Sequence, residues 1–176
     1  MPKNIQTKRL LMNSLTLEDF ADLRLLHSNI EVMKHITGQV RTEEQTTKGL
    51  NQLVADGLLN TFLGQWMVRL RDSNEFIGSY ILRNPATVES TEGIEIGFSF
   101  LPHTWGKGYA TEATQAVIDY AKRENLAQRI IGLVDPHNPS SRRVLEKAGM
   151  VKVGETVYLN SITGDSKVTD LFELYI

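Results

Sequence analysis

Apolar and polar residues alternate most clearly over residues 94–101, IEIGFSFL. Alternation with period two predicts a half-buried β-strand. Residues 111–125 instead repeat small apolar residues and Val117 at helical spacing, which predicts an amphipathic helix. A β-branched run at 129–135 predicts a buried strand parallel to the first, because a strand–helix–strand order forms a right-handed crossover. The two faces of the first strand are Ile94, Ile96, Phe98 and Phe100, and Glu95, Gly97, Ser99 and Leu101.

The same periodicities divide the rest of the chain into short elements. Strand-like runs at 65–70 and 75–82 flank the turn RDSN and predict an antiparallel hairpin. Residues 138–150 predict a well-bounded helix, with Asn at its N-cap, Pro at its first position and Gly after its end. Together these elements predict one mixed α/β domain over residues 1–176, with about seven strands and four helices. The other predicted elements are strands at 7–15, 151–159 and 167–176, the last two joined by a turn at 161–166, and helices at 16–29 and 42–56, the latter stopping at Gly57.

Composition narrows the classes of protein that this chain can be. A net charge of −2 argues against a nucleic-acid-binding surface, and the absence of cysteine excludes disulfides and thiolate metal sites. The four histidines do not fall at metal-ligand spacing, so no metal is expected. There is neither a signal-peptide-like apolar stretch nor a run of about 18 apolar residues, so we expect a cytoplasmic protein without a membrane partner.

Two glycines, Gly106 and Gly108, separate the predicted strand from the predicted helix within HTWGKGYATEA. Glycine lets the backbone turn and a ligand approach, and the unpaired N–H groups of a helix start favour an anion such as phosphate. A P-loop needs GxxxxGK[ST] and a dinucleotide site needs GxGxxG. Neither matches, since Gly108 follows Lys107 and Thr111 stands at the third glycine position. From these residues alone, a tight turn that binds nothing stays open.

WGKGYATEA, residues 105–113, resembles the pyrophosphate loop of the GNAT N-acetyltransferase superfamily, in the branch that includes the ribosomal-protein-alanine (Rim-type) enzymes. Asn13 and Met150 stand where that branch usually has arginine and phenylalanine. The resemblance implies the GNAT fold, a mixed and mostly antiparallel sheet whose one parallel strand pair splays to hold acetyl-coenzyme A. Three other segments resemble the branch in the same order: TKRLLMNSL (7–15), EIGFSFLPHTW (95–105) and NPSSRRVLEKAGM (138–150).

The resemblance also implies which residues hold acetyl-coenzyme A. Backbone amides of 106–111 would bind the pyrophosphate, and the preceding strand would pair with the pantetheine arm. Asn138 would contact the cofactor, although an N-cap position explains an asparagine equally well. The implied cofactor-binding residues are Phe98, Ser99, Phe100, Trp105, Gly106, Lys107, Gly108, Tyr109, Ala110, Thr111, Asn138 and Ser141.

The implied reaction moves an acetyl group to a primary amine, which needs a base and a proton donor but no enzyme nucleophile. Glu95 matches the family's EIG glutamate and is the candidate base, acting through a water. Many members use a tyrosine as acid where this chain has Leu145, so Ser141, which matches the serine assigned that role in the Rim-type branch, is the candidate acid. The alternatives that stay open are Glu92 for the base and Tyr109 and Tyr158 for the acid.

The acceptor is not identified by these motifs. Residues 16–60 and 158–170 would shape its groove, and it is either a protein N-terminal α-amine or a small-molecule amine. A catalytically silent protein that binds or senses coenzyme A is the alternative function. A monomer and a homodimer are both compatible with the sequence.

Overall fold

The structure, a computed structural model, describes residues 3–87, 92–159 and 164–176. Within these residues eight strands form one sheet. The predicted strand at 7–15 corresponds to the second strand alone, and the two-residue strand before it was not predicted. The strands are β1 (Ile5–Gln6), β2 (Leu10–Ser14), β3 (Gly64–Leu70), β4 (Phe76–Arg83), β5 (Ile94–Phe100), β6 (Arg129–Val134), β7 (Val151–Leu159) and β8 (Ser166–Tyr175).

Five α-helices are described, one more than the sequence predicted. The predicted helix at 42–56 continues past Gly57 to Leu59, and Asn60 ends it by accepting hydrogen bonds from the amides of Phe62 and Leu63. The helices are α1 (Phe20–His27), α2 (Ile30–Met33), α3 (Glu43–Leu59), α4 (Tyr109–Arg123) and α5 (Pro139–Lys147), with single 3-10 turns at Leu17–Asp19 and Pro102–Thr104.

The strands lie in the order β1-β2-β3-β4-β5-β6-β8-β7. Among the described pairs only β5 and β6 run parallel, as the strand–helix–strand order predicted. The predicted mixed, mostly antiparallel sheet is therefore confirmed. The predicted turn between β7 and β8 falls partly on residues 160–163, which lie outside the described residues.

Apolar clusters cover both faces of the sheet. On one face Val117 of α4 and Leu145 of α5 pack against Ile96 of β5. On the other face Leu23 of α1 and Leu50 of α3 pack around the middle of the sheet. The alternation along β5 follows from this arrangement, since its apolar row faces α4 and its small and polar row faces α1–α3.

The parallel pairing of β5 and β6 is short. It runs from Ile94 opposite Ile130 to Ile96 opposite Gly132, and beyond that point the two strands separate. A Cβ on Gly132 would lie 2.6 Å from the Leu145 side chain, so this glycine lets α5 approach the sheet where the strands diverge. The predicted splayed pair is thus present, with both helices that follow it beginning at the open end.

Candidate active site

The start of α4 presents unpaired backbone amides. Gly106 and Gly108 adopt left-handed conformations, with φ of 75° and 80°, and α4 begins directly after the second glycine. Among the described residues, the amides of Tyr109, Ala110 and Thr111 have no hydrogen-bond acceptor. They lie at the positive end of the helix dipole, which favours an anion. This loop can therefore hold a phosphate group through its backbone, as its glycines suggested.

The Arg9 side chain binds this loop and the first turn of α4. Its Nε donates to Oε2 of Glu112 at 2.6 Å, its Nη1 donates to the carbonyl of Lys107 at 2.9 Å, and its guanidinium lies 4.5 Å from the Tyr109 ring centre. Burial raises the pKa of Glu112, but hydrogen bonds from Thr7 and Arg9 outweigh that effect and leave it below its usual value. Sequence reasoning missed Arg9, although it lies in the TKRL segment that resembles the family.

One edge of β5 is open where β6 has moved away. The amide of Leu101 donates to Ile77 of β4 at 2.8 Å. Backbone groups of successive residues alternate sides, so those of Phe98 and Phe100 point away from β4. Their amides have no acceptor among the described residues, while the Phe100 carbonyl accepts from the Trp105 indole at 2.7 Å. An extended ligand can pair with this edge.

Ser99 differs from its two neighbours. Its carbonyl faces β4, within 2.4 Å of where a Cβ on Gly78 would lie, so its backbone is turned away from the open edge. Its side chain instead lines a cavity of about 730 Å³ on the α1–α3 face of the sheet. Glu95 and Gly97 line the same cavity. The other polar residues of its wall include His27, His35, Arg41, Arg83, Asp135, Tyr158 and Lys167.

Glu95 is 3% exposed, and both of its carboxylate oxygens accept hydrogen bonds. Its Oε1 accepts from Nη2 and Nε of Arg83 at 2.5 and 3.1 Å, and its Oε2 accepts from the Ala86 amide at 2.6 Å. Burial lowers the pKa of Arg83, but Glu95 and Tyr158 outweigh it, so the pKa is raised. Sequence reasoning missed Arg83, because its contact with Glu95 depends on the cross-strand register that places the two residues opposite each other.

The predicted acid lies on the other side of the sheet. Asn138 is the N-cap of α5, and its Oδ1 accepts from the amide of Ser141 at 3.1 Å. Ser141 is half-buried and, in the described chain, is not part of the cavity wall. Parallel strands end at the same edge of a sheet, so the starts of α4 and α5 flank the gap between β5 and β6. Glu95 lines the cavity on the α1–α3 face of the sheet, and Ser141 lies at the start of α5 beside the gap.

The alternative candidates for the acid and the base lie in three different parts of the structure. Tyr158 lines the cavity, with its ring centre 5.8 Å from the Arg83 guanidinium. Tyr109 lies under Arg9 at the loop. Glu92 is exposed, and its carbonyl accepts from Arg129 at 2.6 and 2.9 Å. Of these three, the structure brings only Tyr158 to the cavity.

The described ranges contain neither a membrane-spanning helix nor a cluster of metal-ligating side chains. Across residues 3–87, 92–159 and 164–176, no helix has the length and apolarity needed to cross a membrane. In the same ranges, no three His, Cys, Asp or Glu side chains converge as a metal site would require.

A glycine-bounded helix start with free amides lies next to a parallel strand pair that separates beside a cavity, an arrangement suited to the class of enzymes that bind an extended, phosphate-bearing ligand. Comparison with known proteins is consistent with this class. Residues 9–151 match the profile of the family described as acetyltransferase (GNAT) domain. The chain therefore belongs to the GNAT acetyltransferase family, and its enzyme class is that of the N-acetyltransferases.

Individual relatives are similar over nearly the whole chain. An uncharacterized N-acetyltransferase of Bacillus subtilis, YnaD, is 36% identical over 151 residues, covering 86% of this chain and 84% of YnaD. A GNAT-family acetyltransferase from Bacillus anthracis superposes with a TM-score of 0.78 at 27% identity, covering 98% of each chain. The ribosomal L7/L12 α-N-protein acetyltransferase RimL, solved with coenzyme A, shares the fold with a TM-score of 0.78 at 16% identity, covering 99% of this chain and 98% of RimL.

Proposed function

We propose that this protein transfers an acetyl group from acetyl-coenzyme A to a primary amine by direct attack, without an acyl-enzyme. The observation that supports this most directly is the set of three features beside the gap between β5 and β6: the free amides of α4, the open edge of β5 and the cavity. A pyrophosphate, an amide-bearing arm and a thioester fit these three places in that order. The RimL structure was solved with coenzyme A, which supports the same carrier for this fold.

On the donor side, backbone groups supply most of the binding. The amides of 106–111 would hold the pyrophosphate, and those of Phe98 and Phe100 would pair with the pantetheine arm. Ser99 would contact the arm through its side chain, since its backbone faces β4. Trp105, 47% exposed, would cover the loop, and the exposed Lys107 would lie near phosphate. Asn138 would act mainly by capping α5.

In the reaction, the amine nitrogen forms a bond to the thioester carbonyl carbon, the carbon–sulfur bond breaks, and the sulfur leaves as a thiolate that takes a proton. An unpaired β5 amide would stabilise the developing oxyanion. A free α-amine has a pKa of about 8 and a lysine of about 10.4, so a base must keep the amine neutral. We propose Glu95 for this role, through a water, and Ser141 as the proton donor, with Tyr158 as its rival.

A catalytically silent carrier-binding protein is the alternative. Two observations favour it: Arg83 and the Ala86 amide already occupy both oxygens of Glu95, and Leu145 stands where many family members have an acid. In that case acetyl-coenzyme A binds but no amine is acetylated.

One experiment separates these functions. Acetyl-coenzyme A should raise the melting temperature, because a ligand that binds only the folded state stabilises it. A panel of small amines and N-terminal peptides is then assayed for release of free thiol. A melting shift with amine-dependent thiol release supports the enzyme, and a shift with no release supports the silent protein. The absence of a shift at millimolar acetyl-coenzyme A would contradict both.

A further inference from the structure

The cavity wall contains a guanidinium with no anionic partner. Arg41, between α2 and α3, lines the cavity, and no Asp or Glu among the described residues forms an ion pair with it. Its Nε is buried and, within the described residues, has no acceptor. Arginine carries its charge at any ordinary pH, so this buried group stays cationic and incompletely hydrogen-bonded.

The neighbours of Arg41 fix its position without neutralising it. Its amide donates to the carbonyl of His27 at 2.9 Å, and its own carbonyl accepts from Nη1 of Arg24 at 2.8 Å. Its Nη1 lies 3.2 Å from Nε2 of His27. The backbone of Arg41 is therefore fixed by His27 and Arg24, and its side chain contacts the imidazole of His27.

That imidazole is neutral. The hydroxyl of Thr46 donates to the carbonyl of Thr42 at 3.0 Å, so it accepts from Nδ1–H of His27 at 3.2 Å. Nε2 is then the acceptor for Arg41. Burial, assisted by the charges of Arg41 and Arg24, lowers the pKa of His27 to about 3. Burial likewise lowers the pKa of Arg41, although Tyr158 partly opposes it.

The other cations of the cavity are paired. Arg83 lies 2.5 Å from Glu95, and the Lys167 ammonium lies 3.5 Å from Asp135. The remaining acid of the wall, Asp56, is exposed and accepts a hydrogen bond from Gln52 on the outer part of α3. The interior of the cavity therefore holds one cation more than its anions balance, and that cation is Arg41.

Building on the proposed function, we infer that the acceptor is a primary amine bearing a carboxylate, which Arg41 binds inside the cavity. A guanidinium presents its N–H groups as a planar fork that matches a carboxylate, and Nη2 of Arg41 has no acceptor within the described residues. An uncompensated buried charge is costly, so a ligand that supplies the missing anion gains affinity. The same charge disfavours polyamines, which are cationic at both ends.

A carboxylate near an amine has two sources: a small amino acid, or an acidic side chain close to a peptide N-terminus. The test uses matched pairs for both. Amino acids are compared with their carboxamides, and N-terminal peptides with Asp or Glu at the second position are compared with peptides carrying Asn or Gln there. Thiol release in the presence of acetyl-coenzyme A gives kcat/KM for each substrate.

We expect the carboxylate member of the productive pairs to be favoured by at least about tenfold, the scale of a hydrogen bond to a charged group. The amino-acid arm and the peptide arm show which source applies. Turnover of amines with no preference for a carboxylate in either arm would overturn this inference while leaving the proposed function intact. Absence of thiol release from every amine would overturn the proposed function and the inference together.

Variants test the residue itself. Arg41→Gln should reduce the carboxylate preference to less than about twofold, and Arg41→Lys should retain part of it because the charge remains. Lys48→Gln is the matched control, since it removes an exposed cation of the adjacent helix α3 that does not line this cavity, and it should keep the preference. Each variant is first checked for an acetyl-coenzyme A-induced melting shift. A retained preference in folded Arg41→Gln would contradict the assignment, and if that variant does not fold, the wild-type substrate pairs decide alone.

Discussion

Nε of Arg9 donates to Oε2 of Glu112 at 2.6 Å and so joins the turn between β1 and β2 to the first turn of α4. The same guanidinium reaches the carbonyl of Lys107 and covers the ring of Tyr109. These contacts fix the direction of the α4 amides, although the amides themselves take no part in them. Preorganisation of this kind lowers the ordering cost of binding.

Arg9→Gln should therefore weaken acetyl-coenzyme A binding by about tenfold, equivalent to about 1.4 kcal/mol. Its effect on the free energy of unfolding should be smaller, about 1 kcal/mol or less, because the pair is partly exposed. Calorimetric titration measures the first quantity and denaturant unfolding the second. Lys3→Gln breaks a similar ion pair, with Glu124 at the far end of α4, and should leave the affinity unchanged. Equal losses in both variants would contradict the role of Arg9.

Gly108→Glu should abolish the melting shift caused by acetyl-coenzyme A. The substitution places a side chain and a negative charge at the phosphate-binding amides, and it strains a residue with φ of 80°. Gly149→Glu is the matched control, since Gly149 has φ of 87° and follows the far end of α5. It should lower the melting temperature by a similar amount but preserve the shift. A shift retained in Gly108→Glu would mean that the phosphate binds elsewhere.

Glu95→Gln should lower kcat by about a hundredfold, the usual scale of a lost general base, while acetyl-coenzyme A still raises the melting temperature. The substitution keeps the shape of the carboxylate and one acceptor. Glu173→Gln removes a comparable Glu–Arg pair, with Arg129, outside the cavity and should leave kcat unchanged. If Glu95 only holds Arg83 and the backbone at Ala86, its variant will lose stability but keep its kcat.

Ser141→Ala should lower kcat by about a hundredfold with little change in the KM for acetyl-coenzyme A, because a proton donor acts in the transition state. Ser140→Ala, one residue earlier and exposed, is the control and should behave as wild type. If Ser141→Ala turns over normally and Tyr158→Phe does not, the proton comes from the cavity side of the sheet.

Stability should fall as the pH drops below 6.5, because His27 has a folded pKa of about 3 and an unfolded value of 6.5. In that window the unfolded chain binds a proton that the folded chain excludes, so each pH unit costs up to about 1.4 kcal/mol. Denaturant unfolding between pH 7 and pH 5 measures this slope before most carboxylates titrate. His27→Gln should flatten it, and an unchanged slope would contradict the buried neutral state.

The sequence predicted site residues best where a local pattern of residues sets their position directly. Alternation along β5 placed Glu95 and Ser99 on one face, and the glycines of the loop marked the start of α4. It was less informative where distant segments meet. The Arg41–His27 contact depends on how α1 and α3 pack, and the Arg83–Glu95 pair depends on strand register. Neither leaves a local period or motif in the chain.

The predicted end of α3 at Gly57 was wrong. Gly57 is a poor helix former and suggested a stop, but one glycine in a helix costs only about 1 kcal/mol, and α3 continues for two more residues to Leu59. The helix ends instead at Asn60, whose side chain binds the next turn. The residue at which a helix ends depends on such contacts, and the sequence alone does not show where they form.

The open edge of β5 has a consequence outside catalysis. With the amides of Phe98 and Phe100 unpaired, the ligand-free chain contains an unfinished strand ladder, and exposed strand edges can pair with other chains. A bound pantetheine arm would complete that ladder. Amide hydrogen exchange at these two residues should then slow when the acetyl donor is abundant. The acetyl donor would thus serve as a strand of the sheet as well as a substrate.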